Sequence, residues 1–250
     1  VRGVPLLVLE KFGQVYVMPT KSSKVAKFRR YNALALATTP LVEGVTPTGK
    51  KQTVTDVTAT LDQYGDFIEF SDVIEDTHED PFLMSTSETL GEQAAQTIES
   101  VRWGILKGGS NVEYANGASR AAVNTPISLA MQRRATRTLL RQNAKPITRI
   151  VGSTANFRTE PVEASFIGLG HVDLENDIRA MPGFTPVKQY GNPGTAYPGE
   201  IGAVDNVRYI LTTLFTAFAD AGGAKGTMIS TTGTSADVYP VVYLAENAYG

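Results

Sequence analysis

The stretch "PFLMSTSETLGEQAAQTIESVRWGILK" (residues 81–107) decides the fold, because it carries the clearest periodic pattern in the chain. Its apolar residues recur at spacings of three, four and seven, which is the repeat of one face of an α-helix. These residues are Leu83, Leu90, Ala94, Ile98, Val101 and Ile105, and the glutamates that fall off the stripe are Glu88, Glu92 and Glu99. The pattern predicts an amphipathic helix over about residues 81–107, closed by Gly108 and Gly109. A helix of about 25 residues spans roughly 37 Å, which is long for a domain of this size.

An acidic cluster, "EDTHED" at residues 75–80, directly precedes this helix and could hold a metal ion or a catalytic acid–base pair. A calcium loop of the EF-hand type does not fit, because the sixth position counted from Asp76 is Pro81 instead of glycine. A zinc-binding helix needs two histidines four residues apart, and the only histidine besides His78 is His171. A metal-dependent hydrolase that uses the cluster and His171 therefore stays a remote alternative.

Helix electrostatics explain the cluster better. Negative side chains ahead of a helix interact favourably with the positive end of its dipole, and an aspartate followed by proline is a favourable helix start. Asp80 and Pro81 have this arrangement. We expect the carboxylates of the cluster to mark the start of the helix or to form ion pairs with another subunit. They are Glu75, Asp76, Glu79 and Asp80.

Composition excludes several kinds of function. The 250 residues carry a net charge of −2 at pH 7, which argues against a sequence-wide basic surface for nucleic acid. The chain has no cysteine, so disulfides, zinc thiolate sites and cysteine nucleophiles are excluded. No apolar run approaches the roughly 20 residues of a membrane-spanning helix. Because the chain begins with Val1 instead of methionine and stops at Gly250 directly after a predicted strand, we expect it to be a piece of a longer protein.

Two extended segments flank a polar turn ahead of the acidic cluster. Residues 27–41 are extended in character, and residues 53–73 are rich in Thr, Val, Ile and Phe with strict alternation around Val57. Between them, "VEGVTPTGKKQ" at 42–52 has the glycines and proline of a turn. The pattern predicts a β-hairpin arm that projects from its own core.

Further helices and strands follow the long helix. A second helix is predicted with Thr125 as its N-cap and an apolar face up to Leu140, ahead of Pro146. A short helix is predicted at 173–181, and strands are predicted at 147–152, 165–170, 207–215 and 239–244. Long loops rich in Gly, Pro and Thr lie at 183–202 and 220–237, and loops of such length are usually functional or interfacial.

Three further motifs have structural explanations. His171 and Asp173 could form a catalytic pair, but no nucleophile elbow accompanies them, and Asp173 is better explained as the N-cap of the short helix. Residues 220–227, "DAGGAKGT", lack the spacing of a Walker phosphate loop and are interpreted as an exposed loop. A basic row recurs every four positions on the second helix, at Arg133, Arg137 and Arg141. Such a row is typical of a solvated helix face, and we prefer ion pairs with a neighbouring subunit as its use.

The order of these parts resembles the major capsid proteins of tailed bacteriophages (Caudoviricetes) with the Hong Kong 97 fold. The residues that carry the resemblance are the hairpin "VEGVTPTGKKQTVTDVTATL" at 42–61, the strand "FIEFSDVIED" at 67–76 and the long helix ending in "LKGGSNVEYANG" at 106–117. The downstream stretches at 120–162, 170–184 and 199–215 are similar to the subgroup found in N-four-like podophages and related prophages. The likeness is collinear and extends over nearly the whole chain.

The resemblance implies an α+β chain with four parts. They are an N-terminal arm (1–26), an extended β-hairpin called the E-loop (27–62, tip 42–52), a peripheral domain with a spine helix at about 81–107 (63–119) and a mixed α/β axial domain (120–250). The return to the peripheral domain that the family has is expected to be truncated or to lie beyond the end of the chain. The tip is expected to contact a neighbouring subunit without a covalent cross-link, through Glu43, Gly44, Pro47, Lys50 and Lys51.

The resemblance also implies a structural function without catalysis or a cofactor. Copies would self-assemble as hexamers and pentamers of an icosahedral capsid around double-stranded DNA, which they would contact only non-specifically, with no membrane involved. A portal protein is an expected partner, and scaffold or decoration proteins are further candidates. The expected location is the virion, after assembly in the cytoplasm of the bacterial host. An encapsulin-type shell, which has the same fold but encloses cargo enzymes, is the closest alternative.

Overall fold

Helix α1, Phe82–Leu106, confirms the long helix that the periodicity predicts at about 81–107. The computed structural model describes residues 4–19, 21, 23–69, 82–151, 159–191 and 196–249. The acidic cluster at 75–80 and the predicted cap Asp80 therefore lie outside the described residues. The chain divides into two compact units, which are Tyr16–Glu69 and the combination of Val1–Val15 with Phe70–Gly250. The larger unit contains α1 and is called the body, and the smaller unit is called the arm.

α1 packs through a different face from its apolar stripe. Trp103 is only 1% exposed and Glu99 only 2%, whereas Ile98 is 48% and Ile105 is 73% exposed. The apolar spacing leaves Glu99 off the stripe, yet the structure places this glutamate at the centre of the buried face. The stripe itself is largely uncovered in the single chain. Hydrophobic periodicity therefore identifies the helix correctly but not the side that packs within the body.

The buried carboxylate of Glu99 holds the N-terminal segment against α1. The backbone amides of Val8 and Leu9 donate to Glu99 Oε1 at 2.6 and 2.8 Å. Residues Leu9–Lys11 form a single 3₁₀ turn, and the amides at the start of such a turn have no acceptor within it. Because Val8 and Leu9 are buried, the carboxylate satisfies donors that would be costly to leave without a partner.

The end of the chain closes over the same N-terminal residues. The amide of Gln14 donates to the carbonyl oxygen of Tyr249 at 2.8 Å, and the hydroxyl of Tyr249 donates to the carbonyl oxygen of Leu9. Gly13 lies flat against the Tyr249 ring, where an added Cβ would come within 2.8 Å of a ring carbon. The N-terminal segment is thus fixed between α1 and the C-terminal residues.

A six-stranded mixed sheet forms the centre of the body. Its strand order is β3–β4–β7–β6–β5, and β8 pairs with β4 on the edge opposite β7. β4 and β7 run parallel, and the other pairs are antiparallel. The strands are β3 (Ile147–Val151), β4 (Thr159–His171), β5 (Phe184–Pro186), β6 (Glu200–Val204), β7 (Val207–Thr212) and β8 (Val242–Leu244).

Four of these strands confirm the strands predicted at 147–152, 165–170, 207–215 and 239–244. β4 is longer than predicted, and β7 and β8 are shorter. β5 and the first half of β6 lie inside the segment 183–202, so the prediction of one continuous loop there is wrong. The sequence pattern does not predict these two strands, because they are only three and five residues long and contain proline and glycine, which weaken the alternating pattern.

β4 and β7 send alternate side chains into two cores. On one face, Ile167 of β4 and Ile210 of β7 pack with Trp103 of α1. The Trp103 ring stacks on Phe215, with 4.1 Å between centroids and 14° between planes. Burying side chains of this size stabilises a fold by about 2–3 kcal/mol each. This face of the sheet therefore positions α1 and the N-terminal segment.

Helix α2, Leu129–Arg141, packs on the opposite face. Its buried Gln132 donates through Nε2 to the carbonyl oxygen of Val204 at 2.7 Å and accepts from the hydroxyl of Tyr209 at 2.7 Å. Tyr209 fits because Gly168 faces it from β4, and a Cβ at that position would come within 2.8 Å of the ring. A satisfied polar contact in an apolar core fixes the position of α2 on the sheet.

The N-cap of α2 is Ser128, and the prediction of Thr125 is wrong. Ser128 has an extended backbone, with φ −128° and ψ 154°, and its side chain accepts from the amide of Met131 at 3.3 Å. Serine is as good a cap as threonine, and it stands directly before the first helical residue. The proline at 126 misled the prediction, because proline at the first helical position is common.

The predicted short helix at 173–181 consists of a 3₁₀ turn, Val172–Leu174, that continues into α3, Glu175–Arg179. Its N-cap is His171, whose Nδ1 accepts from the amide of Asp173 at 3.2 Å. The prediction that Asp173 is the cap is wrong, because the turn begins at Val172 and Asp173 lies inside it. Further 3₁₀ turns lie at Arg120–Ala122 and Val187–Gln189.

The arm contains the predicted β-hairpin. β1 (Val25–Tyr31) and β2 (Val54–Thr60) pair antiparallel over their whole length, from Val25 opposite Thr60 to Tyr31 opposite Val54. Both strands are shorter than the extended segments at 27–41 and 53–73. Of the residues in the two strands, only Ala26 is buried. A two-stranded sheet with so little burial is marginally stable by itself.

The two faces of the hairpin differ in character. On one face, Asp56 accepts from Arg29 Nε at 2.8 Å and lies 2.8 Å from Lys27 Nζ. Arg29 first and then Lys27 lower the pKa of Asp56 to about 2. On the other face, Phe28 lies opposite Val57, and both are exposed. The hairpin therefore has one face with a cluster of charged side chains and another face on which Phe28 and Val57 stay largely exposed, although the Tyr16 ring contacts Phe28 with 5.2 Å between centroids.

Replacing Glu99 by alanine should destabilise the body by about 3 kcal/mol, because two buried amides lose their acceptor. Urea unfolding of the purified subunit measures this loss. Glu88→Ala is the matched control, because Glu88 is an exposed glutamate on the same helix, and its effect should stay within about 0.5 kcal/mol. Equal stability of the two variants would contradict the role given to Glu99.

Asp56 should titrate near pH 2 in the folded arm. Because its pKa is lowered on folding from the usual 3.8, its ion pairs stabilise the arm above about pH 4 and are lost as the pH falls towards 2. The carboxyl carbon shift in an NMR titration measures the midpoint, and Arg29→Gln should raise it. A midpoint near 3.8 in the parent chain would show that the ion pairs do not form in solution.

Candidate functional site

The acidic cluster at 75–80 lies outside the described residues, so its place at the start of α1 stays a prediction. Among the residues that the structure describes, no three or more His, Asp or Glu side chains are grouped so that they could hold a metal ion. None of the helices in the described part of the chain combines the length and the apolar character that crossing a membrane requires.

His171 and Asp173 lie close together and serve packing. Nδ1 of His171 is 3.1 Å from Oδ2 of Asp173, and the hydroxyl of Tyr239 donates to the same oxygen at 2.7 Å. Burial, and then this bond to Asp173, raise the pKa of Tyr239. These contacts tie the end of β4 to the segment ahead of β8, in line with the structural interpretation of the pair.

The basic row on α2 is partly engaged within the chain. Arg133 Nε lies 2.9 Å from Asp205 Oδ2, and both side chains are exposed. The neighbouring Arg134 donates through Nη2 to the carbonyl oxygen of Tyr114 at 3.2 Å. Exposed pairs of this kind contribute little to stability. Ion pairs between Arg137 or Arg141 and another subunit stay a prediction.

The predicted tip residues lie on one exposed loop of the arm. The amide of Val45 donates to the carbonyl oxygen of Val42 at 3.2 Å, which closes a turn. Gly44 stands in this turn with φ +80°, a conformation that other residues adopt with strain. Lys50 Nζ donates to the carbonyl oxygen of Ala35 at 3.0 Å and joins the two sides of the loop. The exposed tip residues are Glu43, Gly44, Pro47, Lys50 and Lys51.

Large apolar side chains are exposed on both units. On α1 they are Leu83, Met84, Ile98 and Ile105. On the arm they include Leu34, Leu36, Leu41, Val42, Val45, Val54, Val57 and Leu61. Contiguous exposed apolar surface is typical of sites that bind a partner. The sequence pattern shows these residues but gives no sign that they face outwards.

A buried ion pair fixes the loop between β5 and β6. Arg208 donates to both oxygens of Glu200, through Nε at 2.7 Å and Nη2 at 2.9 Å. Glu200 also accepts from the hydroxyl of Tyr190 at 2.7 Å and from the amide of Tyr197 at 2.8 Å. Burial opposes the charge on Arg208, but Glu200 outweighs this effect and raises the pKa of the guanidinium. No spacing in the sequence marks this pair, because the residues meet only across neighbouring strands.

Two aspartates organise the loop at 220–237. Asp237 Oδ1 accepts from the amides of Asp220 and Thr231 at 2.7 and 3.1 Å. Asp220 Oδ1 accepts from Ser230 Oγ and from the amide of Thr232, both at 3.1 Å. Burial opposes the ionisation of Asp237, but the bonds from Asp220 and Thr231 outweigh it and lower its pKa. Both carboxylates accept hydrogen bonds from within the loop and thereby order it.

A cavity of about 390 Å³ lies in the body. The end of α1, one side of α2, the turn at α3 and the segment ahead of β8 line it. The guanidinium of Arg120 stacks on the Phe218 ring at 3.6 Å from the centroid, and Lys107 donates to Thr216 Oγ1 at 3.1 Å. Ionisable side chains that line the cavity include Lys107, Arg120, Asp173, Asp177 and Asp237. The arrangement offers binding surface and no assembled acid, base and nucleophile.

Comparisons with known proteins identify relatives of this chain. A family model described as phage capsid protein matches residues 54–247. Comparison with curated proteins gives no match. Among solved structures, the capsid of Ralstonia phage GP4 is similar with a TM-score of 0.60 and 14% identity, over 91% of this chain and 69% of that chain. The capsid of Cyanophage P-SCSP1u is similar with a TM-score of 0.55 and 12% identity, over 88% of this chain and 67% of that chain.

The head structure of Helicobacter pylori bacteriophage KHP40 is similar with a TM-score of 0.52 and 16% identity, over 78% of this chain and 53% of that chain. The chain thus spans about half of the KHP40 chain and about two thirds of the other two. At such identities the solved structures show a shared fold alone. The family model, by contrast, matches most of the 250 residues. The chain belongs to the phage capsid protein family.

Proposed function

We propose that this chain is the major subunit of a tailed-phage head and assembles with its own copies into hexamers and pentamers of an icosahedral shell. One observation carries the proposal: the chain leaves large apolar side chains uncovered on α1 and on both sides of the arm tip. A permanent assembly buries such surface, and its contacts commonly remove 2,000 Å² or more from water, by order of magnitude. The family match supports a phage capsid over an encapsulin-type shell.

The arm acts in this proposal as the E-loop of the Hong Kong 97 fold. Its hairpin has exposed apolar side chains on one face, and among the described residues neither strand edge pairs with a further strand. Both features favour contact with another chain, either by covering the face or by adding a strand at an edge. The arm of one subunit lies over a neighbouring subunit, and the contact is non-covalent.

The body supplies the remaining parts of the proposed fold. α1 acts as the spine helix of the peripheral domain, and the mixed sheet with α2 belongs to the axial domain at 120–250. The proposed subgroup is that of the N-four-like podophages. The shell encloses double-stranded DNA, which the subunits contact non-specifically, and meets a portal and, where present, scaffold or decoration proteins. The subunits assemble in the host cytoplasm, end up in the virion and have no catalytic role.

Deleting residues 44–51 should leave the body folded and impair assembly, because these residues contribute no side chain to the buried core. Circular dichroism checks the fold, and electron microscopy counts closed particles. A variant in which the same eight positions carry glycine and serine keeps the loop length. Comparing it with the deletion shows whether assembly depends on the side chains of the tip or on the length of the loop. Particles unchanged in number and stability would contradict the role of the tip.

Replacing Ile105 by glutamate should reduce assembly while changing the stability of the subunit by less than about 1 kcal/mol, because the side chain is exposed in the single chain. A charge in an apolar contact between subunits costs several kcal/mol, so few particles should form. Ser100→Glu adds the same charge at an exposed polar position of α1 and should assemble normally. Sedimentation of assembly mixtures measures both, and equal assembly would mean that the stripe is not an interface.

A further inference from the structure

One carboxylate that lines the cavity of the body has no partner among the residues that the structure describes. Three aspartates line it, and two are satisfied within the chain, since Asp173 accepts from Tyr239 and Asp237 accepts from the loop at 220–237. Asp177 forms no hydrogen bond or ion pair with any described residue. It is half-buried on α3, and burial raises its pKa. A carboxylate taken out of water without a partner is unfavourable, so a cation brought next to Asp177 would stabilise its charged form.

The cationic side chains that line the cavity contact other residues instead of Asp177. The guanidinium of Arg120 lies flat on the ring of Phe218, and Lys107 bonds Thr216. Most of the lining is apolar and includes Met131, Ile229 and Val241. A group with an apolar stem and a charged end fits such walls, and this is the chemistry of a lysine side chain. The volume of about 390 Å³ is ample for it.

A second copy of this chain offers such a lysine on its arm. Lys51 is exposed at the tip and has no partner among the described residues, whereas Lys50 bonds Ala35 and Lys27 pairs with Asp56. The exposed Val42 and Val45 of the same tip, with Leu41 directly before it, add apolar surface that matches the cavity walls.

We propose that the arm tip of one subunit docks at this cavity of a neighbouring subunit, with Lys51 inserted so that its ammonium pairs with Asp177. This inference rests on the proposed assembly of copies into a shell. It specifies which surface receives the tip and which charge pair fixes the register. The pair excludes other orientations of the arm, since a mismatched charge in a desolvated site is unfavourable.

A carbodiimide cross-link tests the pair, because the reagent joins an amine to a carboxylate in direct contact and leaves no spacer. Treated particles should yield a linked peptide containing Lys51 and Asp177. In particles assembled from equal parts of isotope-labelled and unlabelled protein, mixed peptides should appear, which shows that the residues come from different copies. Lys51→Arg keeps the charge but removes the amine, so the linked peptide should disappear. Lys50→Arg is the matched control and should retain it.

The results of the cross-linking experiment distinguish failure of the docking site from failure of the proposed shell function. Closed particles that give no Lys51–Asp177 peptide, or only unmixed ones, overturn the docking site and leave the shell proposal intact. Loss of the peptide in Lys50→Arg would also overturn the assignment to Lys51. Failure of the parent protein to form particles overturns both proposals. Mixed peptides that vanish in Lys51→Arg and in Asp177→Asn establish the contact.

Discussion

A two-stranded hairpin cannot bury its own faces, and this constraint shapes the account of the whole chain. In the arm, only Ala26 of the two strands is buried, while Phe28, Val57 and many apolar residues around the tip stay in contact with water. Conformational entropy opposes ordering such a segment, and the apolar contacts within it are too few to compensate. The arm makes physical sense as a part whose stability is completed by another chain. The exposed stripe on α1 has the same explanation.

Within the body, a few polar contacts fix the positions of helices and loops relative to the sheet and to each other. Apolar packing is not directional and does not by itself determine these positions. Glu99 meets two backbone amides and fixes the N-terminal segment on α1. Gln132 fixes α2 on the sheet, and the Glu200–Arg208 pair fixes the loop ahead of β6. Each carboxylate or amide is satisfied by more than one partner, which is what makes a buried polar group tolerable. These buried polar side chains therefore have a structural role, because each fixes one element against another.

The sequence predicts the elements well and their packing poorly. The period of α1 and the alternation of β2 depend on local spacing, so this helix and this strand are found at the expected places. The side on which α1 packs depends on Trp103 meeting Phe215 and on Glu99 meeting an N-terminal segment 90 residues away, and no local pattern contains that information. The predicted caps, Thr125 and Asp173, lie within three residues of the observed caps, Ser128 and His171. Threonine and aspartate are themselves good cap residues, so the sequence does not distinguish between neighbouring candidates. The cavity and the Glu200–Arg208 pair arise only when distant strands meet.

The collinear resemblance adds what periodicity lacks, since it relates the order of hairpin, helix and sheet to one family, and the family match supports it. Imaging the purified protein under assembly conditions by electron microscopy tests the central claim most directly. Closed shells of uniform diameter, built from rings of six and five copies, are the predicted result. Dispersed subunits under every condition of salt, pH and protein concentration would contradict it.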